Sequence, residues 1–186
     1  MSITAIDLCS RALLLIGANA IQSFEDGTRE SNVCSSIYET VRDTLLTNRD
    51  WLFSIHQQEL ARLNIEPLHD WKYVYAFPKD VLRIRKVVGS KSFDILADGI
   101  YSNDPKLSVD CQKTVDAADM PAYFQSALIS ELCAKLSISL LGDENKFKLF
   151  SQLAQRDLVN ARLVDSQNAP NKGFEEDSFW ITIARQ

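Results

Sequence analysis

Apolar residues at the start of the chain recur every three or four positions. Ala5, Ile6, Cys9, Ala12, Leu13 and Ile16 form one stripe, which predicts a helix over residues 3–16. Thr4 or Ser2 is placed to cap its first turn, and Gly17 suits the left-handed residue that ends it. Residues 18–28 read as a connection with Asp26-Gly27 as its turn signal. A second helix follows over about 29–49, with Val33, Ile37, Val41 and Leu45 on its inner face and Tyr38 and Leu46 widening it. Two such helices cannot bury their stripes alone and need a partner surface.

After residue 50 the period falls to two. Trp51, Phe53 and Ile55 alternate with Leu52, Ser54 and His56, and Trp71, Tyr73 and Tyr75 alternate with Lys72, Val74 and Ala76. Aromatic and β-branched content makes both runs strands. Phe77-Pro78-Lys79-Asp80 interrupts the second, because proline cannot donate to a ladder. Val81–Val88 reads as a turn and then a strand, and Phe93–Leu96, Ile100-Tyr101 and Leu107–Cys111 as short strands joined at Gly99 and Asp104-Pro105. Helical period then returns over about 120–141. Asp119 is its expected cap, Pro121 falls in its first turn, and Phe124, Leu128, Leu132 and Leu136 carry the stripe until Gly142. Asp143 caps a fourth helix over about 143–165, with Phe147, Phe150, Leu153, Ala154, Leu158 and Ala161 inward. So short a connection folds the last two helices into an antiparallel hairpin. The pairs Glu131/Lys135 and Glu144/Lys148 have the favourable four-residue order on helix surfaces.

The expected class is α+β: mainly a bundle of four helices, with a small antiparallel β element inserted over about 51–115. Residues 1–165 form one domain, and 166–186 form a linker and an extended C-terminal arm. Ser166 to Gly173 has linker composition, Glu175-Glu176-Asp177 is acidic, and the chain then runs Phe179-Trp180-Ile181-Thr182-Ile183. Aromatic and aliphatic residues beyond a linker need a surface. Either the arm folds back on its own helices, or it docks on another chain through Phe174, Phe179, Trp180, Ile181 and Ile183.

Length and charge narrow the classes. At 186 residues the chain can bury a sizeable core without disulfides or a metal. Twenty Lys and Arg against twenty-five Asp and Glu leave −5, which argues against a protein that coats nucleic acid. No apolar run is expected to reach the roughly 20 residues of a membrane span. Ala12–Ile16 followed by Ala18-Asn19-Ala20 imitates a secretory signal, but Asp7 and Arg11 stand where a basic leader belongs, so no targeting is read there. Cys9, Cys34, Cys111 and Cys133 are far apart and sit among apolar neighbours, as reduced, buried thiols of a cytosolic product do.

Catalytic patterns do not emerge. The two histidines, His56 and His69, belong to no metal-ligand spacing, and the six glycines form no phosphate-cradling loop. A Cys–His nucleophile pair has no local signature, and His56 reads as an ordinary strand residue. Carboxylates are plentiful but fall on helix faces and turns rather than as an evident acid–base pair. Arg83, Arg85 and Lys86 are the densest basic cluster, and Arg83 and Arg85 share a strand face. The cluster is either a solvated strand face or a contact for phosphate or an acidic partner.

Several segments, taken in order, resemble a known family. They begin with the helix Ala5-Ile6…Arg11-Ala12-Leu13…Ile16-Gly17 and Ile21-Gln22-Ser23-Phe24. Tyr38, Val41-Arg42, Leu45-Leu46 and Trp51-Leu52-Phe53 follow. The most specific run is Tyr73-Val74-Tyr75-Ala76-Phe77-Pro78-Lys79-Asp80-Val81-Leu82-Arg83, with Phe77 at a position where leucine is expected. Phe124…Ala127-Leu128…Glu131-Leu132-Cys133-Ala134 and the helix ending near Ala161 complete the set. Over about residues 3–165 the pattern resembles the head-to-tail adaptor, or connector, family of tailed bacteriophages, which includes the tail tubular protein A of short-tailed phages.

The resemblance implies a structural virion protein without catalytic residues or cofactor. Such a protein is assembled in the host cytoplasm into a ring, typically dodecameric, beneath the portal. It receives the tail tube or nozzle and extends the channel through which genomic DNA passes without sequence-specific binding. It implies no membrane partner. The arm residues would then face the portal, and Arg83, Arg85 and Lys86 an interface or the DNA channel. Two other readings stand beside it: a cell-wall hydrolase using a carboxylate pair, and a small phage regulatory or DNA-binding module. The last would need a basic helix face, for which Arg29, Arg42 and Arg49 offer no clean stripe.

Overall fold

The computed structural model describes residues 2–67, 70–90 and 92–169. Within them the chain is α+β, with four α-helices and two small antiparallel sheets. The helices are α1 (Ala5–Ile16), α2 (Arg29–Thr47), α3 (Ala122–Leu136) and α4 (Glu144–Gln167). Seven strands lie between α2 and α3: β1 (Ile55–Glu59), β2 (Arg62–Leu63), β3 (Tyr73–Tyr75), β4 (Val81–Val88), β5 (Phe93–Leu96), β6 (Gly99–Ser102) and β7 (Ser108–Lys113).

The helix ends follow their capping chemistry. The Thr4 hydroxyl accepts from the Asp7 N–H, while the Asp7 carboxylate accepts from the Thr4 N–H at 2.8 Å. Those bonds hold the Asp7 carboxyl below its ordinary range, with the Thr4 backbone N–H as the largest cause. Gly17 ends α1 at φ 85°, where a side chain would be strained. Asp143 accepts from the N–H groups of Asn145 and Lys146 at the start of α4. The cap expected of Asp119 is corrected: Asp119 closes a short 3₁₀ turn (Ala117–Asp119), and Pro121 occupies the cap position of α3 without a side-chain bond. α3 then loosens into a π turn (Ser137–Leu141) before Gly142 at φ 63°. Together Ala122–Leu141 are long and apolar enough to span a membrane by composition, contrary to the sequence expectation. Half of that stretch is buried against the other helices.

One core joins all four helices. It holds Leu8, Cys9, Leu13 and Ile16 of α1, Cys34, Tyr38, Leu45 and Leu46 of α2, Phe124, Leu128 and Leu132 of α3, and Leu158 and Ala161 of α4. The predicted stripes are right in phase and shifted in detail. Leu8 is fully buried while Ala5 and Ile6 only flank the core, and α2 buries Tyr38 as expected and Cys34 in addition, with Val33 and Ile37 half-buried against the core. All four cysteines are free and buried. The thiol of Cys9 is raised above its ordinary value by its hydrogen bond with Cys34 and by burial, and burial pushes Cys133 up to about 12.

The period-two reading of residues 51–56 is also corrected. Trp51 lies outside any strand, Leu52–Ser54 is a 3₁₀ turn, and β1 starts only at Ile55. Both Trp51 and Phe53 pack in the helical core, Trp51 meeting Phe124 edge-on at 5.1 Å between ring centroids. Their alternation comes from a tight turn entering the core, not from a pleat. The antiparallel β element divides into two sheets, ordered β1-β7-β4 and β2-β3-β6-β5. Between them lies a second, smaller core of Leu60, Tyr75, Val87, Ile100, Leu107, Val109 and Cys111.

Gly99 stands inside β6, and the turn before it is Ala97-Asp98. A Cβ at Gly99 would lie 2.7 Å from the Tyr75 carbonyl oxygen on the neighbouring strand. That neighbour is backbone, so β3 and β6 would have to separate. Gly99→Ala is expected to destabilise the protein by about 2 kcal/mol, checked by urea unfolding; an unchanged midpoint would contradict the close approach.

Candidate interface surfaces

The basic cluster sits on β4, whose ladder with β7 is broken twice, between Val81 and Arg83 and between Ile84 and Lys86. Such bulges re-aim side chains. Arg83 and Arg85 point the same way, as their spacing predicts, and both close on one carboxylate. Arg83 Nη2 donates to Asp50 Oδ1, and Arg85 Nε donates to Asp50 Oδ2 at 2.9 Å. Asp50 lies just beyond α2, so the clasp ties β4 to the helical core. All three side chains are partly exposed, which limits each pair to roughly 0–1 kcal/mol. Lys86 is exposed and stands across the ladder from Asp110. Asp50 carried no signal in the sequence, being 33 positions from Arg83.

The junction between helices and sheets is the most polar part of the interior. Gln112 on β7 is fully buried and donates through Nε2 to Leu46 O at 2.6 Å, Arg49 O at 2.8 Å and Ser54 Oγ at 3.0 Å. The Trp51 indole N–H donates to Leu45 O at 2.9 Å. Side chains thus take up carbonyls at the end of α2, whose cap residue Asn48 is right-handed rather than a left-handed glycine. Asp165 on α4 is buried and accepts from the Tyr123 hydroxyl at 2.8 Å and from the Leu52 N–H at 3.3 Å, with Arg49 Nε at 3.9 Å. Asp165 was missed from the sequence, and the signal that could have found it is phase: it lies four positions past Ala161 on the inward face.

Two phenols in this interior stay protonated well past their ordinary range. Burial raises Tyr38 to about 12, and burial together with the Asp165 acceptor raises Tyr123 to about 12. Unfolded phenols ionise near pH 10. A raised folded value is stabilising below pH 10, and that contribution is lost as pH rises from 10 to 12. Urea midpoints are therefore expected to fall across that window, and less steeply in the Tyr38→Phe/Tyr123→Phe variant. Equal slopes would contradict the burial of both phenols.

The β1–β7 register places His56 across from Cys111. Burial raises the Cys111 thiol above its ordinary value, which disfavours its thiolate. Among the described residues no group of three or more His, Cys, Asp or Glu could hold a metal.

Among the described residues apolar side chains are exposed at Leu14 and Leu15 of α1, at Ile138 and Leu141 of the π turn, on α4 and on the sheets. On α4, Leu149, Val159 and Leu163 lie on the side opposite the buried Ala154, Leu158 and Ala161. On the sheets, a groove of about 410 Å³ runs between Phe77, Pro78, Val81 and Ile84 on one side and Ile95 of β5 on the other. The arm residues Phe174, Phe179, Trp180, Ile181 and Ile183 lie outside the described residues. No family model matches this chain, and no curated protein matches it.

Proposed function

We propose that this chain is a structural subunit of the head-to-tail junction of a tailed bacteriophage. The observation that carries the reading is the run Tyr73–Arg83, the most specific part of the resemblance. Each conspicuous residue in it has a distinct structural task. Val74 and Tyr75 are buried in β3, and Pro78 ends that strand. Asp80 turns the chain at φ 59°, a left-handed position that Asp tolerates, and Arg83 reaches back to Asp50. A run whose residues serve the fold in this way fits an assembly protein better than a catalytic one.

In this reading the four helices form a bundle, and copies of it form a ring, dodecameric as the family implies, between the portal and the tail tube or nozzle. The net charge of −5 suits a channel wall that lets DNA pass without retaining it. The β region meets the tail side, with Arg83, Arg85 and Lys86 near that contact or the channel. The arm meets the portal through Phe174, Phe179, Trp180, Ile181 and Ile183. No cofactor, catalytic residue or membrane enters, and the protein works in the virion after assembly in the host cytoplasm.

The test is electron microscopy of the full chain mixed with portal rings of the same phage. An added collar under the portal supports the reading and gives its symmetry, and bare portals at high protein excess overturn it. Deleting residues 174–186 is expected to abolish portal binding while the helical circular dichroism signal and the cooperative unfolding of the rest of the chain are retained. Undiminished binding would remove the role of the arm.

A further inference from the structure

The second core is unfinished at one edge. Across the second sheet, Tyr75, Ile100 and Ile95 stand in one row, since Tyr75 pairs with Ile100 and Ile100 with Ile95. Exposure along that row climbs from 1% and 0% to 48%. Phe93 shares the face of Ile95 and is also exposed. β5 ends the strand order, so among the described residues its outer side has no ladder partner. Beyond Ile95 the core opens into the groove lined by Phe77, Val81 and Ile84. An open edge beside an open apolar groove is a place where one more strand fits.

The chain carries a segment with the matching pattern. Phe179-Trp180-Ile181-Thr182-Ile183 has no charge and no proline, and it is rich in β-branched and aromatic residues. Period two puts Phe179, Ile181 and Ile183 on one face, an apolar set that would continue the Phe93/Ile95 face over the groove. Just ahead lies Glu175-Glu176-Asp177, while the groove is bordered by Arg83 and by the segment containing Lys79.

α4 ends beside the start of the β region, because Ser166 Oγ accepts from Arg49 and Asp165 accepts from Leu52. Nine residues lie between Ala169 and Phe179, and the ten Cα–Cα steps span up to roughly 33–36 Å when extended. The longest strand, β4 with eight residues, measures only about 27 Å. Tethering also gives the arm an effective concentration in the millimolar range, far above that of a second chain at micromolar protein.

We infer that residues 179–183 add as a fifth strand to the open edge of β5 in the same chain, and that their apolar face closes the groove at Ile95. This concerns the free protein and stands whether or not the chain forms a ring. The edge is thereby protected from self-association until a partner takes the arm.

The experiment is peptide-resolved hydrogen exchange on the full chain at micromolar concentration. Amides of residues 93–96 are expected to exchange about tenfold or more slowly in the native sequence than in Ile181→Pro, with β7 protection equal in both as a control on folding. Equal rates at 93–96 would overturn the proposal. Protection that grows with protein concentration would overturn it too, since a second copy would then cover the edge. Should Ile181→Pro fail to fold, Ile95→Lys decides from the other side: amides of 179–183 should exchange at least tenfold faster than in the native sequence, and unchanged rates would overturn the assignment.

Discussion

Replacing Trp51 with alanine is expected to cost about 4 kcal/mol, the largest effect of any single substitution considered for this chain. The indole is fully buried and is the largest side chain in the helical core. Its ring meets Phe124 edge-on at 5.1 Å and lies within 6.1 Å of Phe53 and 6.5 Å of Tyr123, so its removal leaves an aromatic cluster around a void. The void cannot collapse easily, because Phe53 and Phe124 are already held against each other at 5.0 Å. The loss also frees Leu45 O at the end of α2. Trp51→Phe separates the two terms: it keeps an aromatic ring and loses the indole donor, and is expected to cost only about 1–2 kcal/mol. For a protein of this size 4 kcal/mol corresponds to a fall in Tm of about 8–16 °C. A fall below about 3 °C in Trp51→Ala would show that the cluster does not depend on the indole.

Trp51 also shows where the sequence was legible and where it was not. Alternating aromatics at 51, 53 and 55 look like a pleat, yet only Ile55 enters a strand. Period alone does not separate a strand from a short turn whose residues dive into a helical core, because both send alternate side chains inward. Helices with long stripes and strong caps were legible: Thr4, Gly17, Gly142 and Asp143 end their elements where local chemistry predicts. The strand at 93–96 was legible too; that at 73–75 starts later than Trp71, and 81–88 is a strand throughout rather than a turn and then a strand. The division into two sheets was not legible, since register depends on long-range pairing that propensity does not encode. The clasp on Asp50 was hidden for the same reason. On the candidate surfaces, sequence found Arg83 and Arg85 and their common face, but not that they share a carboxylate. It found the apolar arm but not the open edge at β5, because an edge exists only after the strands are ordered.

Gln112→Leu is expected to cost about 3 kcal/mol, although it replaces a polar residue with an apolar one of similar volume in a buried strand. Hydrophobic transfer favours the change, so the sign rests on what the amide holds. Its single NH₂ group serves Leu46 O, Arg49 O and Ser54 Oγ, all at 3.0 Å or less. Two of these are carbonyls where α2 ends, and burial denies them water as a replacement. Leu46 O is left unpaired, at about 1–3 kcal/mol, and Arg49 O, which keeps the Trp51 N–H at 3.1 Å, loses one bond worth about 1 kcal/mol, before any gain from the leucine methyls. The Oε1 of Gln112 has no partner among the described residues, so that atom's desolvation is already borne by the native protein and its removal is a gain. The net of two or three lost acceptor bonds against one relieved oxygen leaves the substitution destabilising. Gln112→Glu sharpens the test, because a carboxylate can only accept and would face the same carbonyls. It is expected to be worse than leucine at pH 7 and to recover as pH falls, since protonation restores a donor and a carboxyl buried there has a raised pKa. Urea unfolding of both variants at pH 5 and pH 7 measures this directly. A leucine variant as stable as the native chain would mean that the end of α2 is held by Trp51 and Asn48 alone, and that β7 docks on the helices through apolar contact rather than through this amide.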